Sequence, residues 1–451
     1  MRKLIIVMLL AILAFNSFGQ KYNINFKVPD KAKLERIRKN MNNSFVEIKQ
    51  CYPNAKTKEL QQYYRIVGQN NKSSIVKVLN EEKISDIKEE EACYALTAFT
   101  YDEWLVNGWC NNYALEMVDA ENAWKISKGR PDIRIGIADS DFEITHEDLK
   151  NQIVSVEGHV SAKHWHGTSV AGVAAAETNN GKGVAGIGYK SKLVCQRIEH
   201  WIEKGGCKAF PSSIQQSVWN LYQAGVPIIN VSWSGTGLNK VAAEEITQNG
   251  TTIVVSAGNK PNEQNHFEIA DIPGVIVVSS VNSDNMHEPT GHAHNVHVDL
   301  CAPGKNVSST IVGNTYGGVN GTSFAAPMVS GIIALMLDVN PNLKPAKIEK
   351  ILKETADPVA DAAKFPNGIG AGRVNAYKAV KAAGTRNFTN STLSGNRNLS
   401  AGYGFNLKNA KIGTNSNIKL TARCEVNIDG TFEVPLGSEF SIEIEESARS
   451  N

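Results

Sequence analysis

Three side chains of the kinds that together break acyl bonds stand far apart in this chain, each in a segment of small residues. Asp139 follows the apolar run 133–138. His166 opens His166-Gly167-Thr168-Ser169-Val170-Ala171-Gly172, and Ser323 lies in Gly321-Thr322-Ser323-Phe324-Ala325-Ala326-Pro327. A serine hydroxyl is a poor nucleophile until a base takes its proton during attack. A neutral imidazole does this near pH 7. An aspartate then holds the other ring N–H and stabilises the cation that forms. A fourth segment, Val254-Val255-Ser256-Ala257-Gly258-Asn259, ends an apolar run in an amide side chain. An N–H from Asn259 and the backbone N–H of Ser323 would together form an oxyanion hole. Each residue also has a plainer reading: Asp139 as a turn or cap, His166 as a structural hydrogen bonder, Ser323 as an N-cap, Asn259 as a turn former.

Positioning such groups requires a rigid layer. Residues 133–138, 192–198, 227–231, 251–256, 275–279 and 296–301 are short apolar runs, read as strands. Residues 212–223 and 241–248 have helical spacing, and 323–337 is long and apolar enough for a buried helix. Strands separated by helices imply parallel pairing through crossovers. The expected fold is therefore α/β, a doubly wound, mostly parallel sheet with helices on both faces. Working residues belong at the carboxyl ends of its strands.

The order Asp, His, Asn, Ser and the surrounding motifs resemble the subtilisin-like serine proteases (subtilases, peptidase S8) over about residues 123–382. The resemblance is carried by Ala138-Asp139-Ser140, His166-Gly167-Thr168, Asn230-Val231-Ser232-Trp233-Ser234-Gly235, Ser256-Ala257-Gly258-Asn259, Cys301-Ala302-Pro303-Gly304 and Gly321-Thr322-Ser323. It implies an exported bacterial endopeptidase that attacks protein or peptide substrates through Asp139, His166 and Ser323, with no cofactor required for the chemistry. By the same resemblance Ser232, Trp233 and Ser234 line one wall of the pocket for the residue before the scissile bond, and Ala257 and Gly258 the other. For Trp233, plain core is the competing reading.

The pattern departs in places. Asp141 stands where the family usually has glycine, and Trp165 precedes His166. An extra carboxylate near Asp139 would disturb its titration, and a side chain restricts the backbone if φ must be positive. This motivates a rival reading, a catalytically silent scaffold that binds proteins. Residues 177–183, with Asn179, resemble a calcium-binding loop of the family, and Asp148 matches a carboxylate that joins it. A structural calcium and a simple polar turn both remain open. His287, His292, His294 and His297 precede Asp299. Zinc is conceivable there, but Val296, Val298 and Leu300 alternate with polar residues as on a half-buried strand, which is the preferred reading.

The flanks differ in composition from the centre. Residues 1–19 read as a signal peptide: Arg2 and Lys3, then an apolar run over 5–15 ending in Ser17-Phe18-Gly19. That run is too short to span a bilayer comfortably, and no later segment is expected to cross one. The mature protein is expected outside the inner membrane: extracellular, surface-bound or periplasmic. Residues 20–110 are charged and poor in glycine, with amphipathic stretches at 31–41 and 83–91. They stand where the family carries a propeptide that acts as intramolecular inhibitor, with removal expected between about 95 and 115. Residues 111–384 form the catalytic domain. Residues 385–451, rich in Asn, Ser, Thr and Gly, hold short alternating segments that resemble small stacked β-modules of surface and secreted proteins. Their reading stays open between attachment and a stabilising appendage. A net charge of +2 offers no sign of a nucleic-acid partner. The odd count of seven cysteines leaves at least one thiol unpaired. Cys195 and Cys301, in apolar runs, are expected as buried free thiols.

Overall fold

The computed structural model describes residues 21–28, 30–41, 46–50, 63–69, 72–84, 88–90 and 113–445, the last stretch apart from 159–165, 199, 204–205, 210, 234–237, 262–267 and 288–290. The expected signal peptide, the expected propeptide cut, Trp165, Ser234 and cysteines 51, 93 and 110 lie outside the described residues, except that 113–115 of the cut range are described. The chain forms two compact units, Met1–Phe99 and Thr100–Asn451.

In the first unit, β1 (Lys21–Lys27), β2 (Val46–Gln50), β3 (Tyr63–Gln69) and β4 (Lys88–Glu90) form a sheet in the order β2-β3-β1-β4. Helices α1 (Lys31–Asn40) and α2 (Lys72–Glu81) contribute Leu34, Ile37 and Leu79 to a small core. Asp30 caps α1 by accepting from the Lys33 amide at 2.7 Å. The amphipathic stretch 31–41 is thus a helix. In its counterpart at 83–91, Lys83 stands in a turn (φ 54°) and residues 88–90 form β4, with 85–87 and 91 outside the described residues; α2 was not anticipated.

The second unit is organised by seven parallel strands. They are β5 (Arg134–Asp139), β6 (Ile153–Glu157), β7 (Lys192–Arg197), β10 (Ile228–Val231), β11 (Thr252–Ser256), β12 (Val275–Val281) and β13 (Leu300–Pro303), in the order β13-β12-β11-β10-β5-β7-β6. A hairpin, β8 (His200–Glu203) and β9 (Gly206–Ala209), leaves the sheet after β7. Short helices α3 (Tyr113–Met117) and α4 (Ala120–Ile126) precede the sheet. Crossovers run through α5 (His166–Ala175), α6 (Pro211–Gln223) and α7 (Lys240–Gln248). After a second hairpin, β14 (Val307–Ile311) and β15 (Thr315–Val319), comes α8 (Thr322–Val339), followed by α9 (Pro345–Glu354) and α10 (Ala376–Gly384). All five residues of β11 and all seven of β12 are buried, as expected of a sheet covered on both faces.

Helix α8 is apolar and long enough to cross a bilayer, the property the sequence reading assigned to no later segment. Every residue of it is buried inside the protein. The expected strand 296–301 begins only at Leu300: Val296 is 72% exposed, so the alternation there traces a turn rather than a sheet edge.

Beyond α10 the chain coils. Strands β16 (Thr385–Thr389), β19 (Gly404–Ile412) and β21 (Glu425–Glu433) pair in parallel, as do β18 (Asn396–Ala401), β20 (Asn417–Ala422) and β22 (Glu439–Ile444), while β17 (Thr392–Leu393) joins β19. Stacked partners recur 19, 21 or 22 residues apart. Phe405, Leu407, Ile418 and Leu420 fill the interior. The module is a parallel β-solenoid.

Candidate active site

Strand β5 delivers Asp139 at its carboxyl end, completely buried. Its carboxylate accepts from the Ser140 amide at 2.7 Å and faces His166 Nδ1 at 2.9 and 3.1 Å through its two oxygens. His166 is the first residue of α5. That helix sits close to the strand because its next residue is glycine: a Cβ at Gly167 would lie 2.7 Å from the Asp141 carbonyl and 3.2 Å from Asp139 Cβ. Proximity to Asp139 sets which ring nitrogen is bonded, leaving Nε2 as the nitrogen that can take a proton.

Ser323 is the second residue of α8, 7% exposed. The N-cap, Gly321, has φ 137° and no side chain to cap the helix, so its leading amides need other acceptors. Asn259 Oδ1 accepts from the Thr322 amide at 2.9 Å, and the Thr322 hydroxyl oxygen lies 3.1 Å from it. A Cβ at Gly321 would press on both amide atoms of Asn259, at 3.2 and 3.3 Å. With its oxygen fixed in this way, the amide side chain has a set orientation beside the first turn of α8. The Ser323 amide is one of the N-terminal donors a helix leaves for an external acceptor.

Pro327, inside α8, creates a second requirement. It has no N–H, so the carbonyl four residues earlier, that of Ser323, loses its helical donor. The Ser232 hydroxyl donates to that carbonyl at 2.7 Å and accepts from Asn230 Nδ2 at 2.9 Å. Asn230 Oδ1 accepts from the Ser330 hydroxyl at 3.1 Å. Ser323 Oγ in turn donates to the Ser232 carbonyl at 3.2 Å. Thr322 is bound on its other side: its hydroxyl donates to the Gly258 carbonyl at 3.0 Å and accepts from the Gly258 amide at 3.1 Å.

Ser232 and Ala257–Gly258 thus flank the Thr322–Ser323 turn from β10 and β11. Trp233 lies with its ring centroid 6.1 Å from that of His166, and Phe324, the residue after Ser323, at 5.5 Å. The sequence reading missed Asn230 and Ser330 as supports of Ser323, and Thr322 as the anchor of Asn259. The position of Pro327, four residues after Ser323, was the one available signal.

Asp141 does not stand alone. Its carboxylate accepts from Arg197 Nε at 2.7 Å, and its φ is not positive, so the position makes no demand for glycine. Cys195 and Cys301 are completely buried free thiols; burial pushes Cys195 up and Cys301 up to about 12.

At the resembled calcium loop, Asp148 is buried. One of its oxygens accepts from Asn180 Nδ2 and the other from the Val184 amide, both at 2.9 Å, while the nearby Tyr316 hydroxyl donates to Glu147 Oε1 at 3.0 Å. Asn179 is in the left-handed region (φ 66°). A Cβ at Gly183 would meet the Tyr316 ring at 2.1 Å and Asp148 Oδ2 at 2.2 Å, so ring and carboxylate fill the space against that glycine. So arranged, the carboxylate serves as an acceptor for N–H groups of the loop, the bonding of a polar turn.

Burial holds the His287 imidazole below its ordinary range. Its Nδ1 faces the Ser280 carbonyl at 3.0 Å and its Nε2 lies 3.2 Å from His294 Nδ1. Among the described residues no three metal-capable side chains converge.

A doubly wound parallel sheet, with an Asp–His couple at one strand end and a serine at the start of a buried helix, is the architecture of a serine hydrolase working by acyl transfer. A family model, that of the subtilase family, matches residues 130–404. The chain is 28% identical over 327 residues to the thermophilic serine proteinase of Bacillus sp. (strain AK1), covering 70% of this chain and 78% of that one. It is 28% identical over 278 residues to thermitase of Thermoactinomyces vulgaris, covering 60% and 95%. A solved protease structure from Pseudoalteromonas arctica PAMC 21717 superposes with a TM-score of 0.51 at 27% identity, over 62% of this chain and 97% of that one. The chain belongs to the subtilase family, and its activity is that of a serine-type endopeptidase.

Proposed function

We propose that the chain hydrolyses peptide bonds with Ser323 as nucleophile, His166 as general base and then acid, Asp139 as the partner of the imidazole, and Asn259 with the Ser323 amide as oxyanion hole. The observation that carries this reading is the Asp139–His166 Nδ1 contact at 2.9 Å beside the helix start that bears Ser323. The hydroxyl proton now directed at the Ser232 carbonyl is the one that must pass to Nε2 as Oγ attacks the scissile carbonyl. The tetrahedral oxygen then takes the Ser323 amide and the Asn259 side-chain N–H. Collapse gives an acyl-enzyme, the imidazolium protonates the leaving amine, and water completes the cycle. Ser232, Trp233, Ser234, Ala257 and Gly258 form the walls of the primary pocket. No cofactor takes part in these steps.

The protein acts after export, on protein or peptide substrates outside the inner membrane. Residues 1–19 are its signal and 20–110 its inhibitory propeptide, 111–384 the catalytic domain and 385–451 an appended module. Relatives with such names as extracellular protease (Xanthomonas campestris) support this location. The silent-scaffold reading was motivated by Asp141, and the ion pair with Arg197 removes that motive.

Labelling of the purified protein with a fluorophosphonate probe tests the assignment. Covalent modification confined to Ser323 and absent from Ser323→Ala is expected. A matured wild type that stays unlabelled while a working relative is modified rules it out.

A further inference from the structure

The carboxylate of Asp141 is two residues from the proposed triad aspartate, in a position where resemblance leads one to expect glycine. Its partner, Arg197, is the last residue of β7 and the register partner of Asp139 on β5, so the two side chains belong to adjacent strands at the same level of the sheet. The Ile198 amide donates to the Asp139 carbonyl at 2.8 Å, which locks the end of β7 to the end of β5. The Arg197 and Asp141 side chains are only 15% and 17% exposed, so solvent screens them weakly. Asp141 Oδ1 also accepts from the Phe142 amide at 2.8 Å, which fixes the turn on which Gly167 and hence His166 rest. Burial raises the Cys195 thiol; Asp139 adds to this and Arg197 opposes it, so these two charges act on the same poorly screened volume.

An unpartnered Asp141 would place a second negative charge beside the Asp139–His166 couple. It would favour imidazolium before any substrate binds. An unpartnered Arg197 would do the opposite. We infer that Arg197 and Asp141 are a charge-balanced positioning pair for the Asp139–His166 couple. Neither touches the substrate.

The other ionisable groups around the couple are occupied or uncharged. Glu143, on the same turn, accepts from the Gly313 and Asn314 amides at 2.7 and 3.1 Å. Glu157 on β6 accepts from Gln196 at 2.9 Å. The raised Cys195 thiol on β7 stays protonated. The first two turns of α8 hold no ionisable side chain.

The inference rests on the triad reading and is tested on the mature protein by the pH dependence of kcat/KM and of fluorophosphonate labelling. Arg197→Met should move the acid limb to higher pH by about one unit, with activity on that limb lower by about tenfold. Asp141→Gly should move the limb the other way. The double variant should return the limb to its wild-type position, and Arg197→Lys should largely retain it. Limbs that do not move, or that move in the same direction, overturn the inference, as does a double variant that keeps the shift of Arg197→Met. Thermal melts show whether each variant is folded; if Arg197→Met is not, the sign of the Asp141→Gly shift decides by itself. Failure of wild type to label strikes the triad reading, whereas a labelled wild type with unmoved variant limbs strikes this pair alone.

Discussion

The central sheet and the C-terminal solenoid are both built by parallel strand pairing, yet only the first gathers groups that can react. In the sheet, three of the connections run through helices and α8 follows the last strands, so helix starts such as His166 and Ser323 arrive beside strand ends such as Asp139. In the solenoid, tight turns replace helices, and each residue stacks on its counterpart one coil away. Asn406 donates to Asn387 at 2.8 Å and Asn427 to Asn406 at 3.0 Å; Lys419 meets Glu443 at 2.7 Å. Like stacks on like or on its complement, and these partners come from the adjacent coil. Helices packed against the sheet, more than parallel pairing, make a site.

The most severe way to break the contrast is at the triad. Ser323→Ala or His166→Ala should lower kcat on the order of 10⁶-fold, a scale observed in a subtilisin, with the melting temperature nearly unchanged. An active Ser323→Ala protein would transfer the chemistry elsewhere. Asn259→Ala should lower kcat about 10²- to 10³-fold, again the scale of a subtilisin donor, while KM changes little. An equal loss in KM would instead make Asn259 a substrate-binding group.

The solenoid should answer in the opposite currency. Phe405 is completely buried and Phe405→Ala should cost about 3–5 kcal/mol of stability, read as a fall in denaturation midpoint. Its kcat per folded molecule should stay at the wild-type value. A drop in kcat without unfolding would show that the module reaches the chemistry.

Asp357 gives a pH test between the two regions. Burial tends to raise its carboxyl, but bonds from Asn375, Lys378 and Arg373 win and hold it below the ordinary range. A carboxyl lower in the folded than in the unfolded chain stabilises above its unfolded value, and this stabilisation is lost as pH falls through the folded one. Asp357→Asn should therefore lower stability near neutral pH, by about 1–3 kcal/mol, and the difference from wild type should shrink in acid. A pH-independent difference would make the loss one of packing.

The smallest effect is expected at Asp148. Chelators should leave the melting temperature of the wild type unchanged, whereas Tyr316→Phe, beside Asp148, should lower it by a few degrees through loss of the hydrogen bond to Glu147 Oε1. A chelator-induced fall would restore calcium to the loop.

The buried strands were legible because both faces are covered, so their apolar runs are unbroken and bounded by small residues. The expectation for 275–279 overlaps β12, and 251–256 overlaps β11. The reading failed at 296–299, where alternation arose without a sheet, because Val296 projects from a turn. It found the solenoid strands 418–422 and 440–444 and their likeness to stacked β-modules, but not which strand lies on which, since a period of two names a strand's faces and not its neighbour. It saw in Asp141 a disturbance, for the guanidinium that balances it lies 56 residues away in the chain.

Local chemistry settled in the sequence which side chains are able to act: a hydroxyl at a helix start, an imidazole, a carboxylate at a strand end, an amide after a strand. Tertiary structure alone decided which of them meet, that Ser232 and Asn230 restore the bond Pro327 removes, and that Arg197 faces Asp141. The reason is that strand order and register, which bring residues far apart in the sequence within bonding distance, are set by packing the whole sheet and leave no mark at any single position.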